Sequence, residues 1–175
     1  MLYLIDCDGV LADFTAHVIK TTGADITPED VTSYRIEDHL GPEAVAAAEG
    51  HWDDPVWWAT LPVIGGAREG IDNIRQAGNE VLIVTSPWPT CRGWYDARKS
   101  WLLQHFEIPY GDVLPIRRKE LVAGDVLIDD KVEHVERWQA AHPEGRAFIY
   151  DQPYNREADL PFRITWADRL GTEAQ

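Results

Sequence analysis

The sequence predicts an α/β fold in which helices cover both faces of a central parallel sheet. Three short apolar runs, at residues 2–5, 81–84 and 126–128, are each followed by a helical stretch. Such near-continuous aliphatic runs are typical of strands that are buried on both faces of a parallel sheet. Polar residues end each run, and open α/β sheets bind their ligands at the carboxyl ends of the strands. A functional site is therefore expected at this edge of the sheet.

A helix is expected over residues 13–22, directly after the first strand. The regular pattern then breaks between residues 25 and 60, where a proline at a helix start and an alanine-rich stretch indicate short helices. Because this segment lies between the first strand and the next core helix, we interpret residues 20–60 as a small helical cap inserted over the site. Residues 1–19 and 61–175 then form the core domain.

After the cap, helices and strands alternate as expected for a covered parallel sheet. Gly78 is expected to act as the C-cap of the first of these helices. The expected elements are a helix at 67–77, a strand at 80–84, a helix at 92–106, strands at 113–116 and 125–129, a helix at 132–141, and strands at 147–150 and 162–165.

Asp6 and Asp8 follow the first strand, and they point the same way because side chains alternate along a strand. A close pair of carboxylates persists only if it shares a proton, binds a cation or takes part in chemistry. A turn with solvated carboxylates is the alternative for this motif alone, since Asp-Gly is a common hairpin signal.

A second pair of carboxylates favours the functional interpretation. Asp129 and Asp130 follow the third run, and Thr85 and Ser86 end the second. If these strands are neighbours, four carboxylates converge near two hydroxyl groups. Such a cluster is stable only around a cation, and oxygen ligands favour a hard metal such as Mg²⁺.

Charge and composition restrict the partners. The net charge of −14 over 175 residues argues against long nucleic acids and anionic membranes, whose partners need basic surfaces. The opening apolar stretch is too short for a signal peptide or a membrane span, and two cysteines form neither a disulfide framework nor a zinc site. We therefore expect a cytoplasmic protein. A local group of basic residues could hold a small phosphate, although four of the six are expected to be solvated. The group is Arg92, Arg98, Lys99, Arg117, Arg118 and Lys119.

The polar motifs, taken in order, resemble a known superfamily. Asp6-x-Asp8-Gly-Val, Thr85-Ser86 and Asp129-Asp130 resemble motifs I, II and IV of the haloacid dehalogenase (HAD) superfamily of aspartyl-phosphate phosphohydrolases. Longer strings resemble its 5'(3')-deoxyribonucleotidase family over nearly the whole chain apart from the cap. These strings are DGVLADF (8–14), VTSPW (84–88), KELVAGDVLIDDK (119–131) and DQPYNR (151–156).

This resemblance implies a three-layer, Rossmann-like HAD core with a central parallel sheet and a small cap inserted after the first strand. It also implies a Mg²⁺-dependent phosphomonoesterase that acts through an aspartyl-phosphate, most simply on nucleoside monophosphates. Family members often form dimers, so a homodimer is possible.

The resemblance further implies a role for each motif residue. Asp6 would be the nucleophile, and Asp8 the general acid that later acts as general base. The carboxylate of Asp6, the backbone carbonyl of Asp8 and Asp130 would bind Mg²⁺, with Asp129 in close support. Thr85, through its hydroxyl and the amide that follows it, would hold a phosphoryl oxygen.

The cationic member of the site is where the sequence departs from the family pattern. Relatives place a lysine three residues before a tryptophan, whereas here Arg98 stands three residues before Trp101 and Lys99 one position later. Adjacent helix positions point about 100° apart, so only one of the two easily faces a phosphate. We favour Arg98 or Lys99 over the third candidate, Lys119.

Aromatic residues are the candidates for holding a nucleobase. In the family an aromatic residue at the position of Phe14 stacks on the base, and the cap supplies further aromatic walls. We favour Phe14 and one of Trp57 or Trp58, with Trp88 and Ser86 as further candidates. Tyr154 and Asn155 are nearby in motif order. Most of the eight tryptophans are expected to serve packing.

Two alternatives remain open at this point. The first is a HAD phosphatase for another small phosphate ester, with the tryptophan-rich cap acting only as a lid. The second is a phospho-accepting signalling module, which also gathers acidic residues, a Thr or Ser and a Lys around Mg²⁺. A receiver domain lacks an acid two residues after its nucleophile and a long insertion after its first strand, which favours the enzyme. The base, sugar and phosphate-position preferences are not determined by the sequence.

Overall fold

The protein is described by a computed structural model that covers residues 1–168 and 170. Six parallel strands form one sheet in the order β3-β2-β1-β4-β5-β6. The strands are β1 (Leu2–Ile5), β2 (Glu80–Thr85), β3 (Val113–Pro115), β4 (Val126–Asp129), β5 (Arg146–Tyr150) and β6 (Arg163–Ile164). The helices are α1 (Phe14–Thr22), α2 (Pro42–Trp52), α3 (Pro55–Trp58), α4 (Ala67–Gln76), α5 (Trp94–Phe106) and α6 (Val132–Ala141). This architecture confirms the predicted α/β fold.

Alternating side chains divide the hydrophobic core between the two faces of the sheet. On β1, Tyr3 and Ile5 face a large apolar cluster that includes residues of α4 and α5. Leu4 faces the opposite way, into a second cluster that contains Val135 and Trp138 of α6. Helices therefore cover both faces, which explains why the central strands are apolar between their ends.

Most element boundaries agree with the predicted ones, and one difference has a local cause. The side chain of Asp13 accepts a hydrogen bond from the amide of Ala16 (2.9 Å) and caps α1. Helix α5 begins at Trp94 rather than at residue 92, because Gly93 precedes it with a left-handed φ of 94°. The predicted last strand is present as the two residues of β6.

The chain leaves and re-enters the core at one narrow crossing. Ala12 pairs with Val63 in an antiparallel bridge, and the amide of Asp13 donates a hydrogen bond to the carbonyl of Pro62 (2.8 Å). Helix α1 begins beyond this crossing and packs against α2 of the inserted segment. By the backbone path, α1 thus lies on the cap side, whereas the sequence-based division placed residues 13–19 with the core. The domain division itself remains a prediction.

The last residues of the predicted core domain, Arg169 and 171–175, lie outside the described part of the chain. Among the described residues, no helix combines the length and the apolar character that crossing a membrane requires.

Candidate active site

The predicted convergence of polar residues is confirmed at the carboxyl edge of the sheet. Strand β1 is hydrogen-bonded to β2 on one side and to β4 on the other, so the three motif strands are direct neighbours. The amide of Asp6 donates to the carbonyl of Ile128 (2.9 Å), which aligns the ends of β1 and β4. Asp6, Thr85 and Asp129 are consequently buried at adjacent positions.

A tight loop after β1 brings Asp8 back over the strand ends. Gly9 adopts φ 77°, and a Cβ there would lie closer than 3.0 Å to the Asp130 carboxylate and the Tyr154 hydroxyl. The amides of Leu11 and Ala12 both donate to the carbonyl of Cys7 (2.8 Å each). Glycine is therefore required at position 9 for the close approach of this loop to Asp130.

Lys119 is the cation that contacts the carboxylates at the floor of the site. Its side chain is fully buried, and Nζ lies 2.8 Å from Asp6 Oδ2 and 2.5 Å from Asp129 Oδ2. Asp129 also accepts from the amide of Lys131 (2.8 Å) and faces Nδ1 of His134 (3.1 Å). The sequence-based preference for Arg98 or Lys99 over Lys119 is therefore corrected for this position.

Burial and the Lys119 ammonium act in opposite directions on the two carboxylates. Burial raises the pKa of Asp6 to about 6, even though Lys119 favours the ionised form. Burial also opposes ionisation of Asp129, but Lys119 and His134 outweigh it and lower its pKa to about 2. For Lys119 the two carboxylates outweigh burial, and its pKa is raised. Asp129 and Lys119 are thus charged at neutral pH, and Asp6 is the carboxylate of the two whose negative charge is less compensated.

Arg98 reaches the site from α5 and contacts Asp8. Nη2 of the buried guanidinium lies 2.7 Å from Asp8 Oδ1. The guanidinium carbon lies 5.3, 5.8 and 5.7 Å from the ring centroids of Trp58, Trp94 and Trp101. Nε and Nη1 are buried without a hydrogen-bond partner among the described residues, because aromatic rings surround them. Burial raises the pKa of Asp8, and Arg98 opposes that rise.

Lys99 does not reach the carboxylates, which corrects its assignment as a catalytic candidate. Its ammonium pairs with Asp96 Oδ1 (2.9 Å) on the same helix and lies 4.2 and 5.0 Å from the rings of Tyr95 and Tyr110. The rotation of about 100° between adjacent helix positions explains the difference, since Arg98 already faces the site.

A cavity of about 440 Å³ opens between the cap and this cluster of charges. Asp6, Asp8 and Asp130 lie at its floor. Its aromatic lining consists of Phe14, Tyr34, Trp52, Trp58, Trp88 and Tyr154. Its remaining polar and charged lining includes Ser86, Arg35, Arg117, Arg118, Lys131, His134 and Arg137. The volume and the mixed lining are typical of a small-molecule site.

The structure brings some of the predicted substrate-binding residues to this cavity and not others. Phe14, Trp58, Trp88 and Ser86 line it. Trp57 does not: its indole Nε1 donates to Thr21 Oγ1 (3.1 Å), and its ring packs against the imidazole of His17. Trp57 and Trp58 are adjacent on α3 and both are buried, but only Trp58 lines the cavity.

Thr85 precedes the cavity-lining Ser86 but is not itself among the residues that line the cavity. Its side chain is fully buried, and Oγ1 has no hydrogen-bond partner among the described residues. An unpaired hydroxyl at the end of β2, next to the cavity-lining Ser86, is a donor that is available to a ligand atom.

Several residues of the site were not assigned a role by sequence reasoning. Tyr154 donates its hydroxyl to the Asp130 carboxylate, and its neighbour Asn155 donates to the Asp130 carbonyl (2.8 Å). His134 contacts Asp129, and Tyr34 packs edge-on against Tyr154. The string DQPYNR was the one sequence signal for Tyr154 and Asn155, whereas Tyr34 and His134 carried no signal of their own.

The charges of the cluster fit a divalent cation. Four carboxylates, those of Asp6, Asp8, Asp129 and Asp130, lie near two buried cations, Lys119 and Arg98, in the described part of the chain. Burial raises the pKa of Asp130 well above its usual value, and Asp129 and Asp6 raise it further. The site thus carries two uncompensated negative charges when all four carboxylates are ionised, and its donors are the oxygens that Mg²⁺ prefers.

Comparison with known proteins agrees with this geometry. Residues 1–171 match the family described as "5' nucleotidase, deoxy (Pyrimidine), cytosolic type C protein". The chain belongs to this family. It is therefore an enzyme that hydrolyses phosphate monoesters, built on the HAD-type fold.

Individual relatives support the same family. A Bordetella parapertussis protein, provisionally named 5'(3')-deoxyribonucleotidase, is 34% identical over 173 residues, which cover 95% of this chain and 91% of the relative. The human cytosolic-type 5'(3')-deoxyribonucleotidase is 25% identical over 94% of this chain and 89% of its own length.

Solved structures show the same fold at low sequence identity. CbbY from Rhodobacter sphaeroides in complex with phosphate has a TM-score of 0.55 and 16% identity, with 95% of both chains covered. A HAD family hydrolase from Deinococcus radiodurans with bound phosphate and sodium has a TM-score of 0.54 and 16% identity, with 94% and 90% covered.

Proposed function

We propose that the protein is a Mg²⁺-dependent 5'(3')-deoxyribonucleotidase that hydrolyses nucleoside monophosphates through an aspartyl-phosphate on Asp6. The observation that carries this proposal is the pairing of each catalytic carboxylate with its own buried cation. Lys119 lies against Asp6 and Arg98 against Asp8, at the floor of a cavity with an aromatic wall. A cytoplasmic location and a homodimer also remain proposals, the former supported by the name of the human cytosolic-type relative.

Asp6 is the nucleophile in this mechanism. An oxygen of its carboxylate attacks phosphorus while the ester bond to the nucleoside oxygen breaks, which leaves the phosphoryl group on Asp6. The amide of Cys7 (2.7 Å) and the Lys119 ammonium both donate to this carboxylate and hold its orientation. The ordered carboxylate can attack in line without first losing rotational freedom.

Asp8 handles the proton in both halves of the reaction. In its protonated form it gives its proton to the departing alkoxide, and it then takes a proton from the water that attacks the phosphoryl group on Asp6. This second attack releases inorganic phosphate and restores the Asp6 carboxylate. Burial favours the protonated acid needed for the first step, and Arg98 stabilises the carboxylate that the step produces.

Asp6, Asp130 and the backbone carbonyl of Asp8 would hold the magnesium ion. Lys119 already bridges Asp6 and Asp129, so Asp129 would act indirectly, by holding the Lys119 ammonium in place beside Asp6. Bound Mg²⁺ would offset the repulsion between the anionic carboxylates and the anionic phosphate.

The walls of the cavity account for binding of the rest of the substrate. The unpaired hydroxyl of Thr85 is available to a phosphoryl oxygen, and loss of such a donor costs about 2.7–4 kcal/mol of transition-state stabilisation. Phe14, Trp58 and Trp88 present aromatic surface at which a nucleobase can stack. Stacking on one aromatic side chain contributes roughly 1–3 kcal/mol, which is enough to favour a nucleotide over a sugar phosphate.

The proposal is tested by inorganic phosphate release from nucleoside 5'- and 3'-monophosphates and from sugar phosphates, with Mg²⁺ and with EDTA. Asp6→Asn is the matched inactive control, because it keeps the shape of the side chain and removes the nucleophile. We expect Mg²⁺-dependent turnover of deoxynucleotides that the control lacks. Turnover of sugar phosphates alone would contradict the nucleotide assignment. A stable phosphoryl label on Asp6 without turnover of any substrate would instead indicate a phospho-accepting module.

The covalent step needs its own measurement. Mixing the enzyme with phosphorus-labelled substrate, followed by acid quenching and mass spectrometry, should place the label on the peptide that contains Asp6. With p-nitrophenyl phosphate, whose leaving group needs no proton, Asp8→Asn slows only the hydrolytic step and should increase the labelled fraction. Turnover with no label on Asp6 in either protein would contradict the covalent mechanism.

A further inference from the structure

The turn at residues 152–155 has no role in the proposed mechanism, although it contacts two motif loops. We call it the anchoring turn. Gln152 Nε2 donates to the carbonyl of Gly9 (2.7 Å), in the loop after β1. Asn155 Nδ2 donates to the carbonyl of Asp130 (2.8 Å), and Tyr154 donates its hydroxyl to the carboxylate of the same residue.

The anchoring turn is itself held rigidly. The amide of Gln152 donates to Asn155 Oδ1 (3.2 Å), and the amide of Asn155 donates to the carbonyl of Gln152 (3.0 Å), which closes its single 3₁₀ turn. Asn155 is buried, and its Nδ2 also donates to the carbonyl of Tyr150 (2.8 Å) at the end of β5. From β6, Arg163 donates to the side-chain oxygen of Asn155 (2.5 Å) and to its carbonyl (2.9 Å). The edge of the sheet thus supports the turn, and the turn supports the site.

Tyr154 contacts the carboxylate of Asp130, one of the groups that would bind the magnesium ion. Asp130 Oδ2 accepts the hydroxyl of Tyr154, and the lack of a Cβ on Gly9 makes room for both groups. A carboxylate held at one oxygen cannot rotate freely, so its other oxygen keeps a fixed direction. In protein metal sites such supporting hydrogen bonds orient the ligands, and their loss typically weakens metal binding by 10- to 100-fold.

We propose that Tyr154 is a positioning residue for the divalent cation. Its hydroxyl holds Asp130 so that the second carboxylate oxygen is presented to the ion, while Gln152 and Asn155 hold the backbone of the two loops that the ion would join. This inference rests on the proposed function, because it assumes that Asp130 binds the cation.

The test is direct Mg²⁺ binding to the full chain, measured by titration calorimetry without substrate. Tyr154→Phe removes only the hydroxyl. Tyr95→Phe is the matched control, because Tyr95 also donates its hydroxyl, to the carbonyl of Val113 (2.7 Å), but lies outside the cavity. We expect Kd for Mg²⁺ to rise about 10- to 100-fold in the Tyr154 variant and to stay unchanged in the Tyr95 variant.

Further readouts separate positioning from a merely structural role. In EDTA, the unfolding temperatures of the two variants should be similar, and excess Mg²⁺ should restore kcat of the Tyr154 variant. Gln152→Ala should weaken Mg²⁺ binding in the same direction but less, since it acts on the backbone of one loop. An unchanged Kd in the Tyr154 variant would overturn the positioning role alone. Tighter binding would show that the hydroxyl competes with the ion, which also overturns the role.

Failure of the underlying function gives a different result. If the wild-type protein binds no Mg²⁺ and hydrolyses nucleotides at the same rate in EDTA as in Mg²⁺, the proposed magnesium dependence is contradicted. The positioning role of Tyr154 is then contradicted as well.

Discussion

Replacement of Arg98 should impair proton transfer to the leaving group more than it impairs any other step. The single hydrogen bond from Nη2 to Asp8 is Arg98's only polar contact among the described residues, and three indoles hold its plane. Arg98→Met keeps an unbranched chain between these rings and removes the donor. When Asp8 protonates the leaving group it becomes an anion. In this variant, that anion lacks the guanidinium that stabilises it in the wild-type protein.

The size of the effect follows from this one contact. A hydrogen bond between charged groups contributes about 1.5–3 kcal/mol. If it acts fully in the transition state, kcat for a deoxynucleotide should fall roughly 10- to 150-fold. Asp8 keeps partial access to the cavity, so water can replace some of the lost interaction and the lower part of this range is expected. KM should change little, because Arg98 is enclosed by the tryptophans and by Asp8.

The assay compares two substrates in the same variant. p-Nitrophenyl phosphate releases a stable phenolate that needs no proton, so its turnover in Arg98→Met should fall much less than that of the nucleotide. Lys99→Met is the matched control: it removes the neighbouring cation, which pairs with Asp96 outside the site, and should leave both substrates unaffected. Equal losses for the two substrates in a folded Arg98 variant would refute the role in proton transfer. A loss in the Lys99 variant would refute the placement of the two cations.

Three further predictions concern other residues of the site. Phe14→Ala should raise KM for deoxynucleotides by a factor that corresponds to about 1–3 kcal/mol. KM for p-nitrophenyl phosphate should stay nearly unchanged. If steady-state kinetics show equal changes of KM for both substrates, base stacking on Phe14 is contradicted. Lys119→Met should lower the free energy of unfolding by about 3–5 kcal/mol in urea titrations, because two buried carboxylates lose their partner. A loss of stability below about 1 kcal/mol would contradict the buried pairing. In EDTA, the stability of the protein should rise as pH falls from 7.5 to 5. The raised pKa values of Asp6 (about 6), Asp8 and Asp130 favour the protonated folded state, and together they outweigh the lowered pKa values of His17 and His105, which act in the opposite direction. Asp6→Asn should remove the Asp6 part of this slope, so identical slopes in urea unfolding of the two proteins would contradict it.

The sheet and the order of its motifs could be predicted because each central strand is an uninterrupted apolar run. A strand that is buried on both faces has no polar position, and β1, β2 and β4 each show this pattern until they reach the carboxyl edge. The convergence of Asp6, Thr85 and Asp129 then follows from parallel pairing.

The identity of the cation at Asp6 was predicted wrongly because it depends on packing rather than on pattern. Lys119 lies in a 3₁₀ turn between two exposed arginines and Glu120, where a lysine ordinarily faces solvent. In the folded chain, this side chain instead points inward and contacts the carboxylates of Asp6 and Asp129. The sequence could not decide between Trp57 and Trp58 for a similar reason, since a helix of four residues has too little periodicity to show which of two buried neighbours faces the cavity.

The contacts of Tyr154 and Asn155 were beyond sequence reasoning for a different reason. They join residues that lie about 25 positions or more apart, and they depend on where β5 leaves the sheet. A motif string can indicate that such residues matter, but the atoms that they contact are set by the tertiary structure.

The placement of the indoles gives the protein an internal optical signal. Trp52, Trp58 and Trp88 line the cavity, where a stacked nucleobase would quench their emission, whereas Trp138 of α6 packs on the far face of the sheet. Intrinsic fluorescence should therefore report occupancy of the cavity against a constant background. Binding of an unmodified nucleotide could thus be followed in real time, even in variants that no longer turn it over.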